Sequence, residues 1–297
     1  MGDEITVGHS EEYSSNVNLL AQQMDSRFRG AVTVNNVTGK GAQMMNQVGS
    51  VRAQKRTSRN ADTPLIPVPH DARWVIPADY EWADLIDYQD DIGVRSIVSF
   101  ESSYVQAGAA ASNRAIDDEI MAALFSETTK TGEGGDTTTD WATFVGATTQ
   151  NKVVHGSTGL NAAKIKSGLK ALRSHNVDLT SEPVFCAVTS EQIEDLQIED
   201  QYINYDFSDE RALNGSAGTI KPFLGVRFIH YEDVTKTGST WRVPMWVPSG
   251  VGLGVFSDIK GRVSERNDKS YAKQVYTCTT IGATRLEENK IVEIECV

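Results

Sequence analysis

The sequence predicts an α+β protein in which a compact mixed body is preceded by a long extended excursion. Three observations carry that prediction. Apolar residues recur at helical spacing in separate places along the chain. Short β-branched runs fill its second half. Between them, residues 31–80 hold little core-forming pattern. Across 297 residues, 39% hydrophobic and 23% charged content supplies enough apolar mass for a sizeable core.

The elements follow in order. Residues 11–28 read as an amphipathic helix, with Val17, Leu20, Met24 and Phe28 on one face and Gly30 as a stop. Residues 31–80 are rich in Val, Thr, Asn, Gln and Gly and close on Pro64, Pro67, Pro69 and Pro77. An extended loop or long β-hairpin suits them. An isolated hairpin is marginal in water, so this one needs a surface to lie on. Residues 103–126 give the strongest helix pattern, carried by Ile116, Ile120, Ala123 and Leu124. Residues 127–140, with three glycines and many threonines, read as a mobile loop.

From residue 160 the pattern is that of a compact α+β unit. Asn161 caps a helix carrying Ile165, Leu169 and Leu172. Residues 183–188 form a buried strand. Thr189 and Gln192 then stand in capping-box spacing ahead of a second helix. A short helix near 209–213, a strand over 225–229 and final strands over 274–283 and 291–296 complete the order, with a turn at Glu287–Asn289 between the last two.

The net charge is −12, which argues against a broad duplex-binding surface. The charge is also segregated. Residues 26–61 hold seven bases and no acid, including Arg52, Lys55, Arg56 and Arg59. Residues 74–94 hold six acids and no base: Asp79, Glu81, Asp84, Asp87, Asp90 and Asp91. Residues 182–210 hold nine acids and no base. Blocks of complementary sign point to one copy's basic segment docking on an acidic surface of another copy.

No catalytic constellation emerges, so an enzyme is not expected, and no cofactor or metal site is assigned. His9, His70, His155, His175 and His230 are scattered without ligand spacing. Cys186, Cys278 and Cys296 read as buried, reduced thiols with no disulfide among them. Gly250, Gly252 and Gly254 read as a permissive turn rather than a dinucleotide fingerprint. Asp117, Asp118 and Glu119 read as a solvated or interface face of their helix. No run of ~20 apolar residues predicts a membrane helix, and the acidic start does not resemble a secretory signal.

The order of parts resembles the major capsid proteins of tailed bacteriophages with the Hong Kong 97-type fold. The residues that carry the resemblance are Ile116–Leu124, then Gly159-Leu160, Ile165, Leu169, Leu172, Val177-Asp178, Leu196, Asp206-Phe207, Leu213-Asn214-Gly215 and Gly225-Val226. Gly282–Leu286 and Lys290–Ile294 close the pattern. The resemblance implies an N-terminal arm over 1–30 and an extended loop over 31–80. It implies a peripheral domain over 81–150 with its spine helix at 103–126, an axial domain over 151–255, and return strands of the peripheral domain over 256–297. It further implies hexameric and pentameric capsomers forming an icosahedral head shell around double-stranded DNA.

Implied partners are therefore other copies of the chain, together with scaffolding, portal and decoration proteins, and packaged DNA through weak non-specific contact. No membrane partner is implied. The location implied is the virion capsid, after assembly in the host bacterial cytoplasm. No lysine–asparagine crosslink is assigned. Two alternatives stand beside this reading: an encapsulin-type nanocompartment shell, and a soluble α+β enzyme or binding protein. In a shell, the apolar stripe Val17, Leu20, Met24 and Phe28 is expected to pack on another part of the assembly.

Overall fold

The computed structural model describes residues 22–56, 58–59, 65–86, 100–148, 150–198 and 222–297. Among these residues there are four α-helices: α1 (Phe100–Leu124), α2 (Trp141–Thr148), α3 (Ala162–Ser174) and α4 (Ser190–Ile198). The first seven strands are β1 (Thr33–Asn36), β2 (Ala42–Val48), β3 (His70–Val75), β4 (Ala78–Ile86), β5 (Thr129–Thr131), β6 (Thr137–Thr139) and β7 (Lys152–Val153). The others are β8 (Val184–Val188), β9 (Val226–His230), β10 (Lys236–Thr237), β11 (Thr240–Trp246), β12 (Val251–Arg266), β13 (Ala272–Arg285) and β14 (Ile291–Cys296).

These strands form three sheets. A six-stranded mixed sheet has the order β7-β14-β11-β8-β9, with β10 paired to β11. A four-stranded sheet runs β1-β12-β13-β4, and a second runs β2-β3-β5-β6.

The chain separates into two compact units. One comprises Met1–Asp25, Asp79–Arg114 and Ile259–Thr279; the other comprises Ser26–Ala78, Ala115–Asp258 and Thr280–Val297. The units interleave along the chain, because α1, β12 and β13 each continue from one unit into the other.

The six-stranded sheet owes its stability to α3. Asn161 caps that helix, its side-chain oxygen accepting the Lys164 N–H at 2.9 Å. Ile165, Leu169 and Leu172 then face Val184, Cys186, Val243, Met245, Val292 and Ile294 in one buried cluster. At the start of α4 the Gln192 side chain accepts the Thr189 N–H at 3.0 Å, as the capping-box spacing requires. β14 belongs to this sheet, in register with β11 from Trp241↔Cys296 to Trp246↔Ile291. It therefore does not act as a return strand beside β13, although its residue range matches the sequence reading.

Four further expectations change. The helix read over 11–28 does not extend through its last turns, because residues 22–28 are non-helical and only a short 3-10 turn follows at Arg29–Ala31. The amides of Arg27 and Phe28 donate to the Asp117 carboxylate instead of to helix carbonyls. Val17 and Leu20 lie outside the described residues, as does the expected helix at 209–213.

Residues 127–140 do not form a structureless loop. They fold into the β5/β6 hairpin, whose β5 pairs with β3. The threonines are β-branched and suit a pleated surface. Gly132, Gly134 and Gly135 supply the positive φ values of 84°, 84° and 75° that the turn needs.

Gly252 and Gly254 lie within β12, opposite Thr33 and Asn35 of β1. Only Gly250 sits in a turn. A Cβ at Gly254 would lie 2.9 Å from Val75, so the glycines permit close packing against the extended segment.

Asp117 is fully buried rather than solvated, whereas Asp118 is exposed and accepts the Tyr231 hydroxyl.

Candidate functional site

The extended excursion is a hairpin of β2 and β3, paired antiparallel from Ala42↔Val75 to Val48↔His70 with a bulge between Gln43 and Met45. Gly49 donates its N–H to the Pro69 carbonyl at 2.7 Å, which closes the paired region. Beyond it, Val51 and Leu65 stand in solvent, Leu65 at 94% exposure. Arg52, Lys55, Arg56 and Arg59 are all exposed on this tip. Arg56 donates to the Ser58 carbonyl at 3.0 Å, and among the described residues none of the four bases has a carboxylate partner. The bases are well solvated there, while the Leu65 side chain stands almost wholly in water.

Asp79, Glu81 and Asp84 are exposed along β4. Glu81 accepts the Tyr276 hydroxyl at 3.1 Å, and Asp84 accepts the Leu85 amide at 2.8 Å. Asp87, Asp90 and Asp91 lie outside the described residues. Of the second acidic block, residues 199–210 lie outside the described residues, and three of the described acids are hydrogen-bonded within the chain. Glu182 accepts the Ser249 hydroxyl at 2.6 Å, Glu191 accepts the Trp241 indole N–H at 2.6 Å and Asp195 accepts the Leu160 amide at 3.0 Å.

The base of the hairpin is fixed by buried charge. Arg73, 5% exposed, donates to the Leu286 carbonyl at 3.2 Å and to Glu288 at 2.8 Å. It also pairs with Asp71 at 3.2 Å. Gln47, on the neighbouring strand β2, donates to the same Leu286 carbonyl. Arg285 has no exposed surface. It donates to the carbonyls of Leu124, Ser126 and Thr139 and stacks over Trp141. Burial pulls its guanidinium down to about 10, with Glu288 opposing and Arg73 adding to the effect. A Cβ at Gly282 would lie 2.2 Å from the Ile76 carbonyl oxygen, so only glycine admits the end of this strand so close to β13.

A second buried centre lies in β14. Glu293 accepts both Nε and Nη2 of Arg242, at 2.8 and 3.0 Å, and the Trp141 indole N–H at 2.5 Å. Burial alone would raise its carboxyl, but these hydrogen bonds hold it below the ordinary glutamate range. The sequence offered only a weak signal for either centre: isolated charges inside apolar strand patterns.

The N-terminal stripe divides. Met24 is 41% exposed, while Phe28 is fully buried between Tyr231 and Trp246, at ring-centroid distances of 4.9 and 5.7 Å. Asp117 fixes this segment by accepting the Ser26 hydroxyl at 2.6 Å and the Arg27 and Phe28 amides at 2.9 and 3.1 Å. Phe28 thus packs within its own chain and is not left for a neighbour. Cys186, Cys278 and Cys296 are free thiols. Among the described residues, no group of three His, Cys, Asp or Glu side chains is arranged to hold a metal.

The chain matches the model of a family described as "Phage capsid protein" over residues 5–297. No curated protein matches it. Solved structures share the fold. A capsid asymmetric unit of cyanophage Pam1 superposes with a TM-score of 0.72 at 14% identity, covering 100% of this chain and 99% of that one. The capsid of cyanophage P-SCSP1u gives 0.70 at 14% identity, with 96% and 92% covered. A structure from Mycobacterium phage Che8 gives 0.69 at 17% identity, with 96% of each chain covered.

Proposed function

The chain belongs to the phage capsid protein family as a structural major capsid protein, and from that premise we propose that it builds hexamers and pentamers of an icosahedral head around double-stranded DNA. It is not an enzyme; it assembles with copies of itself, and its place is the virion capsid. The nanocompartment alternative shares the fold, and the family match favours the phage head.

The observation that carries the proposal is the hairpin tip. Arg52, Lys55, Arg56 and Arg59 stand exposed beside exposed Val51 and Leu65. In the assembled head the tip lies on a neighbouring copy, with Asp79, Glu81 and Asp84 of β4 as the acidic side of the contact. Each exposed ion pair contributes only ~0–1 kcal/mol. A shell repeats each pair many times, so small terms decide whether assembly proceeds. Packaged DNA meets the net negative chain weakly and without sequence preference. Scaffolding, portal and decoration proteins complete the head, and assembly takes place in the host cytoplasm.

The test reverses all four tip bases to Glu and examines the purified subunit by circular dichroism, sedimentation and electron microscopy. A folded subunit that fails to form regular shells supports the intersubunit contact. Abundant, well-formed empty shells would sink it, and would assign the four bases to packaged DNA instead.

A further inference from the structure

We infer that Arg73 is a positioning residue for assembly: its guanidinium holds the extended hairpin in one direction relative to the C-terminal turn. The inference rests on the reading of the tip as an intersubunit contact, because only a contact made at the end of a long hairpin depends on how its base is aimed.

The geometry is that of a clamp. β2 and β3 form the hairpin, and each contributes a side chain that donates to the Leu286 carbonyl: Gln47 from β2 and Arg73 from β3. Leu286 and Glu288 belong to the turn between β13 and β14. Arg73 spans that turn, binding the Leu286 carbonyl through Nε and the Glu288 carboxylate through Nη2 at 2.8 Å. Its Nη1 faces Asp71 at 3.2 Å. The turn is itself held, because Leu286 and Glu287 donate their amides to the Gly250 carbonyl. Beside it, Arg285 ties the end of α1 to the β5/β6 hairpin through Leu124, Ser126 and Thr139. The base is thus joined to β5 by main-chain pairing and to the turn by the Arg73 guanidinium and the Gln47 amide.

The opposite face of β3 is tied elsewhere: the Trp74 indole N–H donates to the Gly132 carbonyl at 2.9 Å, in the turn of the β5/β6 hairpin. Side chains alternate along a strand, so Trp74 and Ile76 point away from Arg73. They border an open cleft of about 180 Å³, lined also by Ala122, Ala123 and Thr129. Trp74 ties the hairpin to the β5/β6 turn, whereas Arg73 ties it to the turn between β13 and β14, and this second tie sets the hairpin's direction against the C-terminal strands. Displacement is amplified along the hairpin, because each residue of strand adds about 3.3 Å. Loosening at Arg73 is therefore largest at the tip that carries Arg52, Lys55 and Arg56.

The test is Arg73→Lys, which keeps the charge but replaces a planar guanidinium that donates to both Leu286 and Glu288 with a compact ammonium. Hydrogen exchange is measured on the unassembled subunit, and particle size on assembled material. The expected result is about tenfold faster exchange confined to residues 42–48 and 70–75, unchanged exchange in β11 and β14, and shells of mixed size. If Arg73→Lys does not fold, Glu288→Gln removes the charge of one partner while keeping an acceptor, and the same pattern is expected. Three results would overturn the inference: unchanged hairpin exchange, exchange raised equally in β11 and β14, and uniform shells despite a loosened hairpin. The exchange pattern is read before assembly, so it stands or falls independently of the charge-reversal experiment at the tip.

Discussion

In the six-stranded sheet Val243, Met245, Val292 and Ile294 have no exposed surface, whereas in the hairpin Val48, Val51 and Leu65 are exposed by half or more. Val48 ends β2, and Val51 and Leu65 lie beyond the paired strands, with side chains like those of the sheet. The sheet is covered by α3 and closes its own core. The hairpin has a clamped base and an exposed tip. On the proposed reading, the difference separates stability from assembly: substitutions in the sheet are expected to act on the subunit, and substitutions in the tip on the shell.

The largest effect is expected at Glu293. Glu293→Ala leaves the Arg242 guanidinium without its bidentate partner and the Trp141 N–H without its acceptor. Such a loss costs about 3–5 kcal/mol, to be read as a lower urea midpoint. The same carboxylate gives a pH signature. Its folded pKa is lowered, so its contribution is complete above the ordinary glutamate value of ~4.3 and is lost as pH falls through the folded value. Melting temperatures measured from pH 7 downward should therefore drop below that range. Glu293→Gln should flatten that part of the curve, and an unaltered curve would mean that Glu293 contributes nothing through its charge.

Met245→Ala comes next, at about 2–5 kcal/mol, since a buried side chain beside Gly168 and Ile294 leaves a cavity that packed neighbours close only in part. A loss below about 1 kcal/mol would show that the sheet can collapse around the gap, which weakens the contrast with the hairpin.

Asp117→Asn should cost about 1–3 kcal/mol, because one buried acceptor serving a hydroxyl and two amides becomes neutral. Proteolysis should then begin near residues 22–28. Cleavage that begins elsewhere would show that Phe28 alone holds the segment.

The smallest effect on the subunit is expected at the tip. Leu65→Ser should change the urea midpoint by no more than about 0.5 kcal/mol equivalent while lowering shell yield. A large loss of subunit stability would place Leu65 in a core and remove the contrast altogether.

Much of the fold was legible because its signals are local. Ile116, Ile120 and Leu124 mark α1, Asn161 marks the start of α3, and the Thr189/Gln192 spacing marks the start of α4. Each depends on residues within one or two turns of each other. The segment at 127–140 was misread because threonine and glycine suit both a loop and a strand–turn–strand, and only the free edge of β3 decided between them.

The sequence by itself determined the order of elements, the segregation of charge and the existence of an excursion with no core of its own. These follow from composition and short-range periodicity. Tertiary structure alone decided that Asp117 is buried and receives residues 26–28, that Glu182, Glu191 and Asp195 are used within the chain, and that Arg73, Arg285 and Glu288 meet beneath the hairpin. The physical reason is range. A helix or a cap is fixed by neighbours along the chain, whereas a buried charge is tolerable only beside a partner, and Arg73 and Glu288 become partners only when β3 and the turn after β13 come together.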